Sequence, residues 1–390
     1  MTTTPLTKGF AVVALTFAFA LTGCGADPVA PDTSSTTGVN AAVAAANGYR
    51  FTIVVDNDRD GFDAFGFGCP AMNEAGVIAF HGIRAFSFAS GIFRSGPRLT
   101  AIALDEGQFG FIGVNPSINN RGDVSFAASV GGGEYEILRG SGGALTTIAE
   151  TETGPFAFFG FDTSIDDAGN VAFKAELDNF DEGLFYGAGG PATTVYLAST
   201  SKFLGHDGGP AFNPAGQIAF QEDLDDGGSG MFLWTGSRFI TIATDRRPPI
   251  GGFFRPPSLN AGGVVGFHAF LREGGNEAIF KGSGGPLTRV ADSRGAYSSF
   301  DFGGPSINDP GVVAFSSTLD TGEQGIFVGP DPVADRVILA GDALGGATTT
   351  NFVFCREGIN NRGQLAFLAF LDDGRSLIVR ATPPNSVPDA

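Results

Sequence analysis

Asn213-Pro214-Ala215-Gly216-Gln217-Ile218-Ala219-Phe220 is one of seven copies of the pattern Asn-x-x-Gly-x-x-Ala-Phe. The copies begin at Asn73, Asn119, Asp166, Asn213, Asn260, Asn308 and Asn360. Glycine follows three places on, at Gly76, Gly122, Gly169, Gly216, Gly263, Gly311 and Gly363, and phenylalanine closes each copy, from Phe80 to Phe367. Successive starts lie 46, 47, 47, 47, 48 and 52 residues apart, by subtraction. A fixed period of this size signals a repeat architecture, and it governs every other inference from the chain.

One copy has a legible physics. Asn at the first place and Gly at the fourth suit a type I turn, whose first residue favours a side chain that bonds its own backbone. Asp166 can accept the same bonds, so it passes as a substitute for Asn. The residue two after Gly is aliphatic (Ile78, Val124, Val171, Ile218, Val265, Val313, Leu365), and the Phe lies two further on. Both therefore point to one face of a strand. The small residue between them, usually Ala, predicts that the other face is closely packed too.

Three more elements recur in each period. An aromatic piece such as Phe109-Gly110-Phe111 comes first, often followed by Pro-Ser-Ile. After the motif comes a Gly-apolar-Phe strand, as at Ile279-Phe280, and then a strand like Leu287-Thr288-Arg289-Val290-Ala291. Four short strands in about 47 residues, punctuated by Gly and Pro, make one propeller blade. The chain is therefore predicted to be all-β, a seven-bladed propeller over residues 49–382, with little helix. Seven units around one axis form a single domain despite the length of 390 residues. The 60 glycines and 22 prolines fall in the turns, and the 39 phenylalanines supply a core.

The sequence also predicts how the ring closes. Repeat seven ends after Ser376-Leu377-Ile378-Val379 without a fourth strand, whereas Phe51-Thr52-Ile53-Val54-Val55 is a spare fourth strand ahead of repeat one. An open ring would leave an unpaired edge. Residues 51–55 are thus expected to complete blade seven.

Residues 1–23 hold one Lys and an apolar run from Phe10 to Leu21. The run is too short to span a bilayer and suits a signal peptide. It ends in Leu21-Thr22-Gly23-Cys24, which resembles the lipobox of bacterial lipoproteins. That resemblance implies cleavage before Cys24, a lipid on its sulfur, and a location at the bacterial cell envelope, facing periplasm or exterior. An ordinary secretory signal cut near Ala26 is the other reading. Residues 24–48 read as a flexible tether and 383–390 as a tail. The formal charge is −18, so partnership with nucleic acid or with anionic lipid through basic residues is excluded, and a lipid anchor is the sole expected tie to a membrane.

Cys69 and Cys355 sit at nearly matching places in the first and last repeats, which are neighbours in a closed ring. Either a disulfide or two buried thiols satisfies that placement. Asp56-Asn57-Asp58-Arg59-Asp60-Gly61 has carboxylates at positions 1, 3 and 5 of a calcium loop, Asp56, Asp58 and Asp60, but Phe67 stands where the bidentate Glu belongs. Calcium is the one candidate cofactor, against the plainer reading of a solvated acidic turn. His81 and His268 directly follow a motif Phe and read as structural; His206 has no evident partner. No nucleophile elbow, phosphate loop or dinucleotide fingerprint occurs, and no catalytic residue is assigned.

The repeat region, about residues 49–380, resembles an uncharacterised bacterial family named for tandem Asn-x-x-Gly-x-x-Ala-Phe repeats, whose members carry varied surface anchors. That family brings no activity. Three functions remain: a scaffold that binds a protein or glycan ligand, a carbohydrate-active enzyme with carboxylates at the channel, and a structural component of envelope or matrix. Polar residues absent from the other repeats and gathered in the channel would favour the enzyme; an apolar plug would favour the structural role.

Overall fold

A computed structural model describes residues 43–44, 47–66, 68–205, 208–254 and 256–384. Cys24, Phe67, His206 and the signal-peptide segment lie outside these residues. Seven antiparallel sheets follow one another along the chain, one per repeat. No α-helix occurs among the described residues, only two single turns of 3-10 helix at Gly131–Gly133 and Ala198–Thr200. The architecture is a seven-bladed β-propeller.

Blade 3 shows the common plan. Its first strand is broken in two, Phe156–Phe159 and Ser164–Ile165, and both pieces pair with the motif strand Val171–Leu177. Glu182–Gly187 and Thr193–Leu197 complete it outward. Each motif turn forms as expected. The Gly amide donates to the carbonyl of the first residue, as from Gly216 to Asn213 at 3.0 Å. The Asn Oδ1 accepts the amide four residues on, as Asn213 does from Gln217 at 2.9 Å.

The core lies between blades. The Phe face of each blade packs on the small-residue face of the blade before it, so Phe126 meets Ala79, Ile92 and Ile102. Phe220 and Phe232 meet Ala172 and Leu184 in the same way. This explains why Ala or Gly separates the two apolar residues of the motif: a larger side chain would hold the blades apart. In five blades the motif Phe has a Phe directly opposite on the next strand, such as Phe173 opposite Phe185. A buried Phe contributes about 1.5–3 kcal/mol. This repeated interface is the main source of stability.

Strand Arg50–Asp56 pairs with Ser376–Thr382 and supplies the outer strand of blade 7, as the spare-strand count requires. Phe51 and Val55 enter the cores on the two sides of that blade. The expected tether 24–48 is partly built into the fold. Val43–Ala44 pairs with the outer edge of Arg50–Asp56, and Asn47 Nδ2 donates to the carbonyls of Val333 and Arg336. The cause is the bare edge of the closing strand, whose backbone groups recruit the segment before it. The 52-residue last period is explained by Ala343–Leu344 and the long strand Ala347–Val353, which form an extra hairpin.

Candidate functional site

Each blade has its motif turn at one end of the ring and the hairpin after the motif strand at the other. The first end is closed by side chains at the first two motif positions. Asn73 Nδ2 donates to the carbonyl of Asn119 at 3.0 Å, and Asn119, Asn213, Asn260 and Asn308 each do the same to the next repeat. A second ring uses the next residue. Asn120 Oδ1 accepts from the Glu74 amide, Asp167 Oδ1 from the Asn120 amide, and Asn361 Oδ1 from the Asp309 amide. Glu74 Oε2 closes it by accepting from the Asn361 amide at 2.9 Å, across the joint between last and first repeats. Ala261 has no acceptor to offer, and the residue one repeat before it is Pro214, which has no amide to satisfy.

These rings correct one expectation. Asp166 keeps the turn, accepting from the Asn170 amide at 2.7 Å. Its side chain has no N–H, so it cannot donate to the carbonyl of Asn213. The Asn in this motif serves both its own turn and the next blade, and only the first role is visible within one repeat.

Arg356 and Glu357 close the channel midway. In the other repeats the place of Glu357 is held by Pro70, Pro116, Thr163, Pro210, Pro257 or Pro305, and the place of Arg356 by a smaller residue. Arg356 reaches across the axis from blade 7 to blades 3 and 4. Its guanidinium donates to the Thr163 carbonyl at 2.7 Å and to the Pro210 carbonyl. Gly209 leaves room for it, since a Cβ there would stand 3.1 Å from Nη1. Ser306 holds the Arg356 carbonyl and Met72 the Glu357 carbonyl. Ser164 Oγ donates to the Glu357 carboxylate at 3.1 Å. Enclosure by protein pushes that carboxyl above its usual range, although Arg356 beside it and donors from Ser117, Ser164 and Ile118 pull it down. The plug is polar and ties five other blades to blade 7.

The plug divides the channel into two spaces. On the motif-turn side is a space of about 170 Å³ between the Asn rings and the plug. On the hairpin side is a blind cavity of about 440 Å³ with Arg356 and Glu357 at its floor. Phe158 and Phe161 of blade 3 and Phe302 of blade 6 form its walls, and Asn115, Asp162 and Lys174 add polar groups. Asn115 Nδ2 bridges to Asp162 Oδ1 at 2.7 Å, which fixes both side chains. The walls are extended outward by neighbours. Phe161 lies 5.4 Å from Phe111 and 5.7 Å from Phe158, and Phe302 lies 5.5 Å from Phe254. Phe302 is 77% exposed, so it is a wall available to a ligand rather than part of the core.

The aromatic piece was recognised in the sequence only as a strand. In blades 3 and 6 its last phenylalanine, Phe161 or Phe302, leaves the strand and lines the cavity, which no periodicity within a repeat reveals. The Arg356-Glu357 pair carried a usable signal: Glu357 stands where five of the other six repeats have proline.

Other expected sites resolve as follows. Cys69 and Cys355 form a disulfide, with Cα atoms 5.5 Å apart, at the rim of the cavity. The three carboxylates of the acidic turn are not gathered around a common point. Asp56 Oδ2 pairs with Arg375 at 2.9 Å, and Asp60 with Arg59 at 2.6 Å. Asp56 Oδ1 and Asp60 Oδ2 also accept amides of the turn. Turn formation and arginine pairing use the oxygens that a calcium ion would need, and no cluster of three metal-ligating side chains occurs among the described residues. His81 and His268 are buried between strands. His81 Nε2 lies 2.7 Å from Ser90 Oγ, and His268 Nε2 lies 3.2 Å from Glu277 Oε2. Glu277 also accepts the Phe300 amide, so this pair staples blade 5 to blade 6. Burial lowers the His81 pKa to about 4 and that of His268 in the same direction.

Residues 243–378 match a family of unknown function, DUF7453. That span holds the whole motifs at Asn260, Asn308 and Asn360. Among curated proteins there is no match. Among solved structures the chain is similar to the polysaccharide lyase Uly1, with TM-score 0.47 and 9% identity over 84% of this chain and 91% of that one. It is also similar to the β-propeller domain of the Trilobed protease from Pyrococcus furiosus, with TM-score 0.46 and 12% identity over 66% and 79%. A third similarity is to the SapL1 lectin solved with alpha methyl fucoside, with TM-score 0.41 and 11% identity over 67% and 93%.

Proposed function

We propose that this protein is a binding propeller of the cell envelope, anchored by a lipid on Cys24, whose ligand is an uncharged saccharide held in the aromatic-walled cavity. The observation that carries the proposal is the blind cavity itself, walled by Phe158, Phe161 and Phe302 and floored by Arg356 and Glu357. Its volume of about 440 Å³ suits a small ligand, for which sites run about 300–1,000 Å³. A sugar ring offers apolar C–H faces to the phenyl walls and hydroxyl edges to the polar floor. Lys174 is already paired with the buried Glu222 at 2.7 Å, and Arg356 lies beside Glu357, so the cavity offers no unpaired cation to an anionic ligand, which favours a neutral one.

The test is titration of the mature protein against a panel of neutral oligosaccharides, with Phe161→Ala and Phe302→Ala alongside. Loss of a phenyl wall should weaken binding about tenfold, or 1.4 kcal/mol. Binding that ignores both substitutions, or no binding across the panel, removes the proposal. For the anchor, Cys24→Ser should abolish labelling by a palmitate analogue, and equal labelling of mutant and wild type ends that part.

A hydrolytic reading has one specific observation behind it. Arg356 and Glu357 are absent from the other repeats and converge on the axis, and the Glu357 carboxyl is raised toward the range of a general acid. Against it, the carboxylate is held by Ser117, Ser164 and the Ile118 amide, partners that serve the plug. Release of reducing ends from the same panel, lost in Glu357→Gln, would establish hydrolysis.

A further inference from the structure

The hairpin after the motif strand turns at the cavity end of every blade. Seven residues beyond the motif Phe, five blades place a glycine with positive φ: Gly133, Gly227, Gly274, Gly322 and Gly374, between +80° and +100°. Blade 3 places Phe180 there, with φ +65° and the same amide-to-carbonyl bond to a leucine three residues back that Gly227 makes. Blade 1 has a longer tip, Ala85-Phe86-Ser87-Phe88-Ala89, with Phe86 at φ +68° and Phe88 at +55°. A bulky side chain in the left-handed region is unfavourable and rare, whereas glycine is at ease there. Burial gives no return for it. Phe86 is 98% exposed, Phe180 84% and Phe88 69%. These three side chains carry a backbone cost and leave apolar surface in water, at places where the sibling blades avoid both. Such outliers concentrate at functional surfaces.

The remaining tips on the same end are acidic. Asp225 and Asp226 of blade 4, Glu273 of blade 5, Glu323 of blade 6 and Asp372 and Asp373 of blade 7 are all exposed. This end of the ring therefore has an apolar arc of three phenyl groups on blades 1 and 3, with Asp178 beside Phe180, and an acidic arc over blades 4–7. In the acidic arc Asp226 and Asp373 are paired with Arg246 and Arg375, while Asp225, Glu273, Glu323 and Asp372 stand exposed.

We propose that the cavity end docks a partner protein that offers apolar pockets to Phe86, Phe88 and Phe180 and basic side chains to the acidic arc. An anionic bilayer is disfavoured, because the acidic arc repels it. A second copy of this chain is disfavoured by area and charge. Three phenyl groups bury at most about 150–250 Å² each, short of the ~800 Å² per side of a stable interface. The remainder would have to come from acidic tips facing acidic tips. A basic partner gains from both arcs. This surface is distinct from the saccharide cavity, and the proposal does not depend on that reading.

The probe is a labelled 20-residue amphipathic helix of leucine and lysine, followed by fluorescence anisotropy with the intact mature protein. Phosphatidylcholine and phosphatidylglycerol vesicles and sedimentation of the protein alone serve as parallel arms. The decisive variant combines Phe86→Gly, Phe88→Gly and Phe180→Gly. The wild type should bind the peptide, more weakly as salt rises, and the variant about tenfold more weakly, 1.4 kcal/mol, while melting at the same or a higher temperature because glycine relieves the backbone. A variant that binds equally well overturns the proposal. So does one that melts lower, since the phenyl groups would then serve the fold. Binding to vesicles, or dimerisation, that the variant abolishes would assign the surface to a bilayer or a second copy and overturn it likewise.

Discussion

His81 shows what one buried side chain contributes. Its ring stands between strands, with Nε2 against Ser90 and Nδ1 without a partner among the described residues. Gly66 is packed against Nδ1 so closely that a Cβ there would lie 2.4 Å away. No carboxylate faces the ring to stabilise a proton, so desolvation alone lowers its pKa to about 4. The unfolded chain binds a proton below about 6.5, and the fold refuses it until about 4. Stability from this residue is therefore whole above pH 6.5 and is lost as pH falls through that window. The full effect is on the order of 3 kcal/mol. Thermal melts of wild type and His81→Gln at pH 7.5 and pH 5 check it. The wild type should lose the larger fraction of its stability at pH 5, and parallel losses would show that His81 does not titrate on unfolding. His268 differs because Glu277 offsets part of the same desolvation.

At the scale of elements, the turn and the strand behind it work between blades. Five of the six Asn turns hand a hydrogen bond to the next turn. A cation on the third strand reinforces the link: Arg94 Nη1 donates to the Gly122 carbonyl at 2.9 Å, Lys281 to that of Gly311 at 2.6 Å, and Arg380 to that of Gly76 across the closure. Arg139 does the same to Gly169. The motif glycine thus has two tasks. It takes positive φ, +83° at Gly122, and it leaves its carbonyl open, since a Cβ there would stand 2.1 Å from Arg94 Nη1. The ring of turns lacks a link at Asp166, and another at Asn360, whose Nδ2 donates to Gln364 within its own turn. Asp166→Asn should add the first and stabilise by about 0.5–1 kcal/mol, a net hydrogen bond less the one Asn170 now makes to Asp166. Asn213→Asp, by contrast, removes a donor and buries a carboxylate where no surface is exposed, so it should cost 2 kcal/mol or more, by the ~1–3 kcal/mol of an unpaired buried group. Denaturant midpoints measure both. Equal and opposite small shifts would mean that the ring of turns contributes little.

For the whole molecule, closure is the decisive event. Arg50–Asp56 meets Ser376–Thr382 in blade 7, and Cys69 is bonded to Cys355 between blades 1 and 7, 286 residues apart in sequence. These contacts are non-local, so loop-closure entropy is lost before they form, and folding should be slow for the size. The strand buries Phe51 and Val55 and pairs Asp56 with Arg375. Deleting residues 49–56 should uncover the edge of Ser376–Thr382 and both apolar seams, giving aggregation or a fall in melting temperature above about 10 °C. Deleting 25–42 should change little, because the strand pair at Val43–Ala44 remains. If the two truncations melt alike, closure through the N-terminal strand is not what holds the ring. The same geometry puts the disulfide at the cavity rim, so ring closure and the shape of the candidate site depend on one seam.

The amino-acid sequence alone determined the blade count, the strand roles and the closing strand. Each rests on local periodicity: the turn that Asn and Gly require, the two-residue alternation of Ile and Phe, and a spare strand at one end of the count. It also marked the matching places of Cys69 and Cys355, while leaving their state open. Only the tertiary structure decided the rest. The Asn side chain's second bond, the cation on the next glycine carbonyl and the staple at Glu277 all cross from one blade to another, so no single repeat displays them. The Asp56, Asp58 and Asp60 pattern matched a cation loop by spacing, but Arg375 brought from blade 7 pairs with Asp56, and Arg59 of the turn itself pairs with Asp60. The cavity had no local signature at all. Arg356 closes it by reaching carbonyls 146 and 193 residues away, and Phe161 and Phe302 become walls because blades 3 and 6 stand across the channel. Periodicity fixes what each blade is, because strand and turn energies are local. The site forms where seven nearly equal blades meet at an axis, and what occupies that axis depends on where each repeat departs from the common pattern.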